Sequence, residues 1–406
     1  MRPRRRRPQA VGEFRALFSG PDGERLLALA AVIVTTQMSW GMLVPVLPAY
    51  AQELGVGAVA VGLVITMFGV GRVAANIPAG MLGRKVDRVW LLIGGSAGVV
   101  LFSALSGFAL DLATLLVLRL LTGIAGGFSI TAGQTLLADA INPRSRARAL
   151  SFVQAMQLVS SAVGPALGGF VAELAGLSAP FFISGLLCLI AIVWVVARQR
   201  VRRSLASIAV QAPGEAETDN TRGRSFVAAY TAGFAVFFAR FGVQQTLIPL
   251  VAYNVVGFAV WQLGTAFALM SVLNIVCAVA FGGLSDRVGR RPVIVWTMVS
   301  AAVATAALSL PLNAAEFVVV LLLFGIATSL GGPVPIAYVS DIVSGPRRSG
   351  IIGIYRTFGD VAGMIGPVMV GGLVALAGVP VAAAAAAFVG CGAAAVFGWG
   401  AERGKR

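Results

Sequence analysis

The chain has 406 residues, 58% of them hydrophobic and only 12% charged, with a mean hydropathy of +0.90; globular domains carry about 25% charged residues, so a soluble protein of this make-up would expose far too much apolar surface. A net charge of +15 would on a soluble chain point to nucleic acid, but the basic residues sit in short segments between long apolar runs rather than along one basic face, which excludes that reading. Histidine is absent, which removes imidazole-ligated metal centres and histidine general bases.

An apolar run of about 18 residues or more is long enough to cross a bilayer as a helix. In chain order, a basic tail over 1–25 precedes six such runs, at 26–49, 58–82, 89–110, 112–138, 149–173 and 178–197. A hydrophilic stretch, 198–225, has the composition of a flexible linker. Six more runs follow at 226–252, 258–283, 292–311, 315–339, 349–376 and 379–400, before a short tail, 401–406. The first run is too long for a signal-peptide core and has no A-x-A cleavage site after it, so it is read as a helix that stays. Cys188, Cys277 and Cys391 lie singly inside apolar runs and read as small hydrophobes, so neither a disulfide framework nor a metal site is expected.

The twelve-span reading can fail, because it fixes the side on which each loop lies. Of the 31 basic residues, 27 fall in the tails and in the loops after the even-numbered spans, all on one side. The opposite loops carry acids such as Glu53 and Asp111 instead. By the positive-inside rule both termini and the linker are cytoplasmic. An Ala-, Gly- and Val-rich chain that prefers Arg to Lys suggests a GC-rich bacterial genome, and hence the cytoplasmic membrane.

The two halves repeat at one offset: Gly80 meets Gly282, Leu82 meets Leu284, Gly123 meets Gly325, Asp139 meets Asp341, and Gly164-Pro165 meets Gly366-Pro367. Such matches indicate a duplicated six-helix unit, 26–197 and 226–400, an organisation known among secondary transporters.

After the eighth run the chain reads Gly282-Gly-Leu-Ser-Asp286-Arg287-Val-Gly289-Arg290-Arg291. This resembles the G-x-L-x-D-R-x-G-R-R loop of the major facilitator superfamily. Its first-half counterpart, Gly80-Met-Leu-Gly-Arg84-Lys-Val-Asp87-Arg88, departs from that pattern, with Arg84 where the family has its Asp and Asp87 where it has a Gly. Arg119-Leu-Leu-Thr-Gly123 is similar to the family's R-x-x-x-G element, whose buried arginine is implicated in proton coupling. Gly164-Pro165-Ala-Leu-Gly168-Gly169 is similar to the G-P-x-x-G-G element of its antiporters, although Ser160 stands where a leading Gly is expected. Trp40-Gly-Met-Leu-Val-Pro45-Val-Leu-Pro48 resembles the proline pattern of the twelve-span drug:proton antiporters. The resemblance implies an all-α integral membrane protein with twelve transmembrane helices in two pseudo-symmetric six-helix bundles, the major facilitator fold. The expected activity is proton-coupled efflux of small amphiphilic or drug-like molecules by alternating access, with proton symport of a small metabolite such as a sugar or organic anion as the alternative. The expected partners are a small-molecule substrate, protons and the lipid bilayer; the protein is expected to act as a monomer without cofactor and not as an enzyme. The gating elements implied are Gly80, Arg84, Asp87, Arg88, Asp139, Gly164, Pro165, Gly168, Gly169, Gly282, Asp286, Arg287, Gly289, Arg290 and Asp341.

Four arginines, Arg72, Arg119, Arg240 and Arg356, fall inside spans. At roughly 2.5–3.5 kcal/mol each on insertion scales they are costly neighbours for lipid, which points to a water-filled, electropositive cavity between the halves. Such a cavity disfavours lipophilic cations and favours anionic or neutral amphiphiles. Asp360, four residues after Arg356 and therefore on the same helix face, is the candidate proton carrier, with Arg119 and Arg356 as coupling partners. Gln37, Trp40, Arg72, Asn76, Gln157, Arg240, Gln244, Asn274 and Tyr355 are the candidate substrate contacts.

Overall fold

The computed structural model describes residues 20–83, 86–140, 146–197, 223–331, 333–342 and 348–401. The tails, the linker and Arg84 of the sequence reading lie largely or wholly outside these. The described residues are helical almost throughout. The first half contains α1 (Gly20–Glu53), α2 (Ala58–Leu82), α3 (Arg88–Ser106), α4 (Leu112–Ala140), α5 (Arg146–Ala175) and α6 (Ala179–Ala197). In the second half α7 (Gly223–Phe238) runs on through a π-helical stretch, Ala239–Leu247, an α-turn, Ile248–Val251, and a second π stretch, Ala252–Val256. Then come α8 (Val260–Phe281), α9 (Arg290–Ala307) and α10 (Ala314–Thr328), which resumes as Pro333–Ile342. A continuous helical run, Arg348–Gly400, is broken by Gly378 at φ 83°, ψ 172°, and we call its two parts α11 and α12.

Nine helices among the described residues are long and apolar enough to cross a membrane. One is the run that Gly378 divides, which makes ten passes. The 18-residue α9 and the interrupted α10 occupy the places of the other two expected spans. The sequence reading drew one helix over 315–339; the structure breaks it after Thr328, ahead of Pro333, whose ring cannot donate to the preceding turn. Large apolar side chains such as Leu101, Phe170, Val279, Leu376 and Phe388 point outward and are exposed. That surface suits a hydrocarbon solvent, where only structures with internally satisfied backbones persist.

Packing within each half follows the repeat. A Cβ on Gly123 of α4 would run into the Phe68 carbonyl of α2, and one on Gly325 of α10 would run into Met270 of α8. Phe68 and Met270 are themselves separated by the offset that relates Gly123 to Gly325. Likewise Gly164 of α5 lies against Gly41 of α1, as Gly366 of α11 lies against Gly242 after α7. Helices without a hydrophobic drive to associate approach closely through small residues of this kind.

The same symmetry relates the two seams between the halves. In one, Gly62 of α2 meets the Pro367 carbonyl of α11, and Gly371 meets that of Ala58. In the other, Gly264 of α8 meets the Pro165 carbonyl of α5, and Gly169 meets that of Val260. Each residue of one seam is the repeat equivalent of a residue in the other. Further from the termini, Tyr253 donates a hydrogen bond to the Pro45 carbonyl and Gln52 donates to Asn254 Oδ1 at 3.0 Å. Among the described residues, the hydrogen bonds and glycine contacts joining the halves run from the surface opposite the termini to mid-depth. The halves are therefore closed on that side.

Candidate functional site

A cavity of about 290 Å³ lies between the halves, walled by α1, α5, α7 with its π-helical continuation, α8 and the end of α10. That volume is at the lower end of what small-molecule sites occupy. Of the candidate substrate contacts, Gln37, Trp40, Gln157, Arg240, Gln244 and Asn274 line it. Trp40 stacks on Phe68 at 4.0 Å between ring centroids, which fixes the indole against α2. The amide of Asn274 is held by the Gly325 carbonyl at 2.9 Å. Gln37, Gln157 and Gln244 have no side-chain hydrogen bond among the described residues and are free to turn toward a ligand.

Arg240 lies deep in the molecule, yet its side chain is exposed, because the surface it exposes is the cavity wall. It has no ion-pair partner among the described residues. It is also the only ionisable residue in the lining. Arg72 is close enough to act on it electrostatically.

The sequence reading missed several wall residues. Gln154 and Ser161 of α5 flank Gln157 at helical spacing, one turn to either side, and periodicity could have found them. Gln245 required more. It stands five residues after Arg240, which turns it to another face of an α-helix, but the Ala239–Leu247 stretch is π-helical. The Thr246 hydroxyl donates to the Phe241 carbonyl five residues back at 2.9 Å. A wider turn of this kind brings Arg240, Gln244 and Gln245 to one cavity, and π-bulges recur at functional sites. The Gln245 Oε1 is buried with no donor among the described residues.

Two of the expected contacts lie elsewhere. Arg72 is not on the cavity wall: its Nη2 is 2.6 Å from Asp360 Oδ1, and its guanidinium stands 5.7 Å from the Phe241 ring. The described ion pair of Asp360 crosses from α11 to α2, joining the halves at mid-depth; the pairing with Arg356 expected one turn away falls on a side chain outside the described residues. The Arg356 side chain lies outside the described residues. Tyr355 is 2% exposed, because Gly233 of α7 leaves room for its ring to pack inside the second half. The Asn76 side chain is outside the described residues.

Nor does Arg119 face the central cavity. It is fully buried, its Nη2 donates to Ser106 Oγ at 2.9 Å, and its guanidinium lies 5.3 Å from the Phe181 ring. Its Nε and Nη1 have no hydrogen-bond partner among the described residues. A cavity of about 20 Å³, room for one water, adjoins it and shares Gln37 and Trp40 with the central one. Of the four arginines expected around one wet cavity, the three with described side chains separate: one lies there, one is in a cross-half ion pair and one is sealed in the first half.

The G-P-x-x-G-G element divides its labour by helix face. Gly164, the Pro165 ring and Gly168 fit against α1, Gly168 under the Met42 carbonyl, while the Pro165 carbonyl and Gly169 fit against α8. In the loops, Asp87 caps α3 by accepting from the Val89 N–H at 2.9 Å, and Arg88 Nε donates to the Gly83 carbonyl at 3.2 Å. Gly289 sits at φ 97°, where a side chain would be strained. Arg291 donates to the Gly398 carbonyl of α12, while Arg287 is exposed. Neither Gly80 nor Gly282 has a positive φ, and Gly80 has open space around it. Arg290 is partly buried at the start of α9. The side chains of Asp139, Asp286 and Asp341 are outside the described residues.

A cavity between two repeat-related halves, with pseudo-symmetric seams on one side of it, is an arrangement found among secondary transporters. The family model of the Major Facilitator Superfamily matches residues 29–315 and 229–405. The chain belongs to the major facilitator superfamily. Multidrug resistance protein 2 of Bacillus subtilis is 22% identical to this major facilitator over 351 residues, 85% of this chain and 87% of the relative. An uncharacterised MFS-type transporter of Methanocaldococcus jannaschii is 23% identical over 271 residues, 64% of this chain and 68% of the relative. Among solved structures, a bacterial homologue of the human lysosomal transporter Spinster, in an inward-facing and occupied conformation, matches with a TM-score of 0.72 at 18% identity, over 94% of this chain and 92% of its own. This major facilitator is a multi-span membrane transporter.

Proposed function

We propose that this transporter exports small amphiphilic, drug-like molecules in exchange for protons, from the cytoplasmic membrane, with both termini in the cytoplasm. The observation that carries the reading is the central cavity: about 290 Å³, walled by aromatic, amide and apolar side chains from both halves and closed on the side away from the termini. A substrate entering from the terminal side would meet a site that both halves complete. The multidrug resistance name borne by the Bacillus subtilis relative supports export over import.

Asp360 is the proton carrier in this proposal, and Arg72 is its partner. With the carboxylate ionised, the 2.6 Å pair ties α2 to α11 at the depth where the seam ends. A proton arriving on Asp360 cancels the attraction and leaves the seam to its small-residue contacts, which can part. Arg119 stands apart from this pair and conditions the first half electrostatically. The protein acts as a monomer in this scheme and needs no cofactor besides the proton gradient.

The test is proton-driven flux in proteoliposomes. Export of a fluorescent amphiphile is expected to follow an imposed pH gradient, and Asp360→Asn should abolish the pH dependence while leaving exchange of substrate down its own gradient. Flux in Asp360→Asn that follows the pH gradient as in the wild type would remove Asp360 from the coupling.

A further inference from the structure

A second cavity, of about 60 Å³, lies inside the second half between α7, α9, α10 and α12. By the room a water molecule takes, it holds about four water-sized groups. It shares Val236 and Thr328 with the central cavity, so these two side chains are the partition between them. Its walls are Ala, Val, Phe and Met with a few threonines. Those hydroxyls are already committed: Thr297 donates to the Ile294 carbonyl, Thr305 to that of Ala301 and Thr328 to that of Phe324, each within its own helix. A hydrogen-bond acceptor such as a carboxylate placed there would find no free hydroxyl donor among them, and an apolar group would lose nothing.

On the other side of the partition stands Arg240, one helical turn after Val236. The α7 helix and its continuation thus present a guanidinium to the large cavity and Ala235, Phe238, Ala239 and Val243 to the small one. A guanidinium with no carboxylate beside it among the described residues is matched by a planar anion, which it binds through two parallel hydrogen bonds. A cationic ligand would meet it as a like charge.

We infer that the substrate is an organic carboxylate with a short apolar branch: the carboxylate rests on Arg240 and the branch passes between Val236 and Thr328 into the second-half cavity. The inference rests on the transport reading above and adds the substrate's charge class and shape. The free amides of Gln37, Gln157 and Gln244 then serve the remainder of the molecule.

Direct binding to the detergent-purified full chain, followed by quenching of tryptophan fluorescence, with Trp40 in the cavity wall as reporter, tests it apart from transport. The probes are arylalkanoic acids whose alkyl branch grows from methyl to butyl, each with its amide and its amine. Carboxylates should bind best, and Arg240→Gln should weaken them about ten- to a hundredfold while leaving the amides unchanged. Affinity should rise about threefold to fourfold per methylene until the small cavity is full. Ala301→Leu should shorten the preferred branch, and Met298→Ala should lengthen it. Equal binding of acid and amine, or an acid preference that survives Arg240→Gln, overturns the anionic head. Branch-length profiles unmoved by both cavity variants overturn the tail site. Binding as described without substrate-driven proton release would instead fault the antiport reading and leave the ligand assignment standing.

Discussion

Arg119 is the residue whose placement is hardest to explain by stability. Two of its nitrogens are buried with no partner among the described residues, and each unsatisfied buried polar group costs about 1–3 kcal/mol. An apolar side chain of similar length would remove that cost, so its retention points to use rather than to stability. Arg119→Met is expected to unfold at an equal or higher temperature than the wild type in a thermal melt, yet to lose proton-driven transport; a large fall in melting temperature would show that the guanidinium holds α3 and α4 together. The positions of such residues were only partly legible in the sequence. Polar groups interrupting apolar runs picked out Gln37, Gln157, Arg240 and Gln244, because an amide or a charge in a spanning helix has few places to go besides a cavity. The same reasoning misplaced Arg72 and Tyr355, since their surroundings depend on which helices meet across the molecule. The repeat hides Arg72's partner as well: its equivalent in the other half is Asn274, and the equivalent of Asp360 is Leu158, so no internal copy of the pair exists to be recognised.

At the scale of elements, helix association here is governed by where a Cβ is allowed. Gly371 and Gly372 are neighbours on α11, but a Cβ on Gly371 meets the Ala58 carbonyl whereas one on Gly372 meets nothing within 4 Å. Gly371→Ala is expected to cost about 1–3 kcal/mol of stability and to prise open the seam with α2. Gly372→Ala should be neutral or stabilise by up to about 1 kcal/mol through helix propensity. Thermal melts of the two variants side by side make the comparison, and equal effects would show that glycine acts here only through the backbone. Helix ends obey local chemistry in the same way. The Thr114 N–H, together with its hydroxyl, holds the Asp111 carboxylate below the usual carboxylate range at the start of α4. A depressed value means that the cap is fully present at neutral pH and is lost as pH falls through the lowered value. Asp111→Ala should therefore melt at a lower temperature than the wild type at pH 7, with the difference shrinking in acid. The places of the spans were largely readable from the chain, the break after Thr328 excepted. The π-helical stretch after α7 was not, because no residue pattern announces it and its register is set by packing.

On the scale of the whole molecule, two symmetric seams carry an asymmetric charge. Gly62 with Pro367 and Gly264 with Pro165 close equivalent contacts, but only the seam between α2 and α11 has the described Arg72–Asp360 pair at its inner end. At the equivalent depth the other seam has Asn274 and Leu158, and both face the central cavity. Protonation would therefore loosen one seam while ligand bears on the other, which gives two distinct inputs to a single rocking motion. Beyond both seams, Gln52 and Asn254 meet near the surface away from the termini, so joining them should hold that side shut. With the exposed Cys391 replaced by serine, Gln52→Cys with Asn254→Cys treated with a short thiol cross-linker is expected to stop flux almost completely. Ligand binding in detergent should stay within about twofold, since the cavity remains open toward the termini, and reduction of a cleavable linker should restore transport. If cross-linked protein still carries substrate, the contacts on that side do not open during the cycle, and the two halves cannot exchange access by rocking about the central cavity.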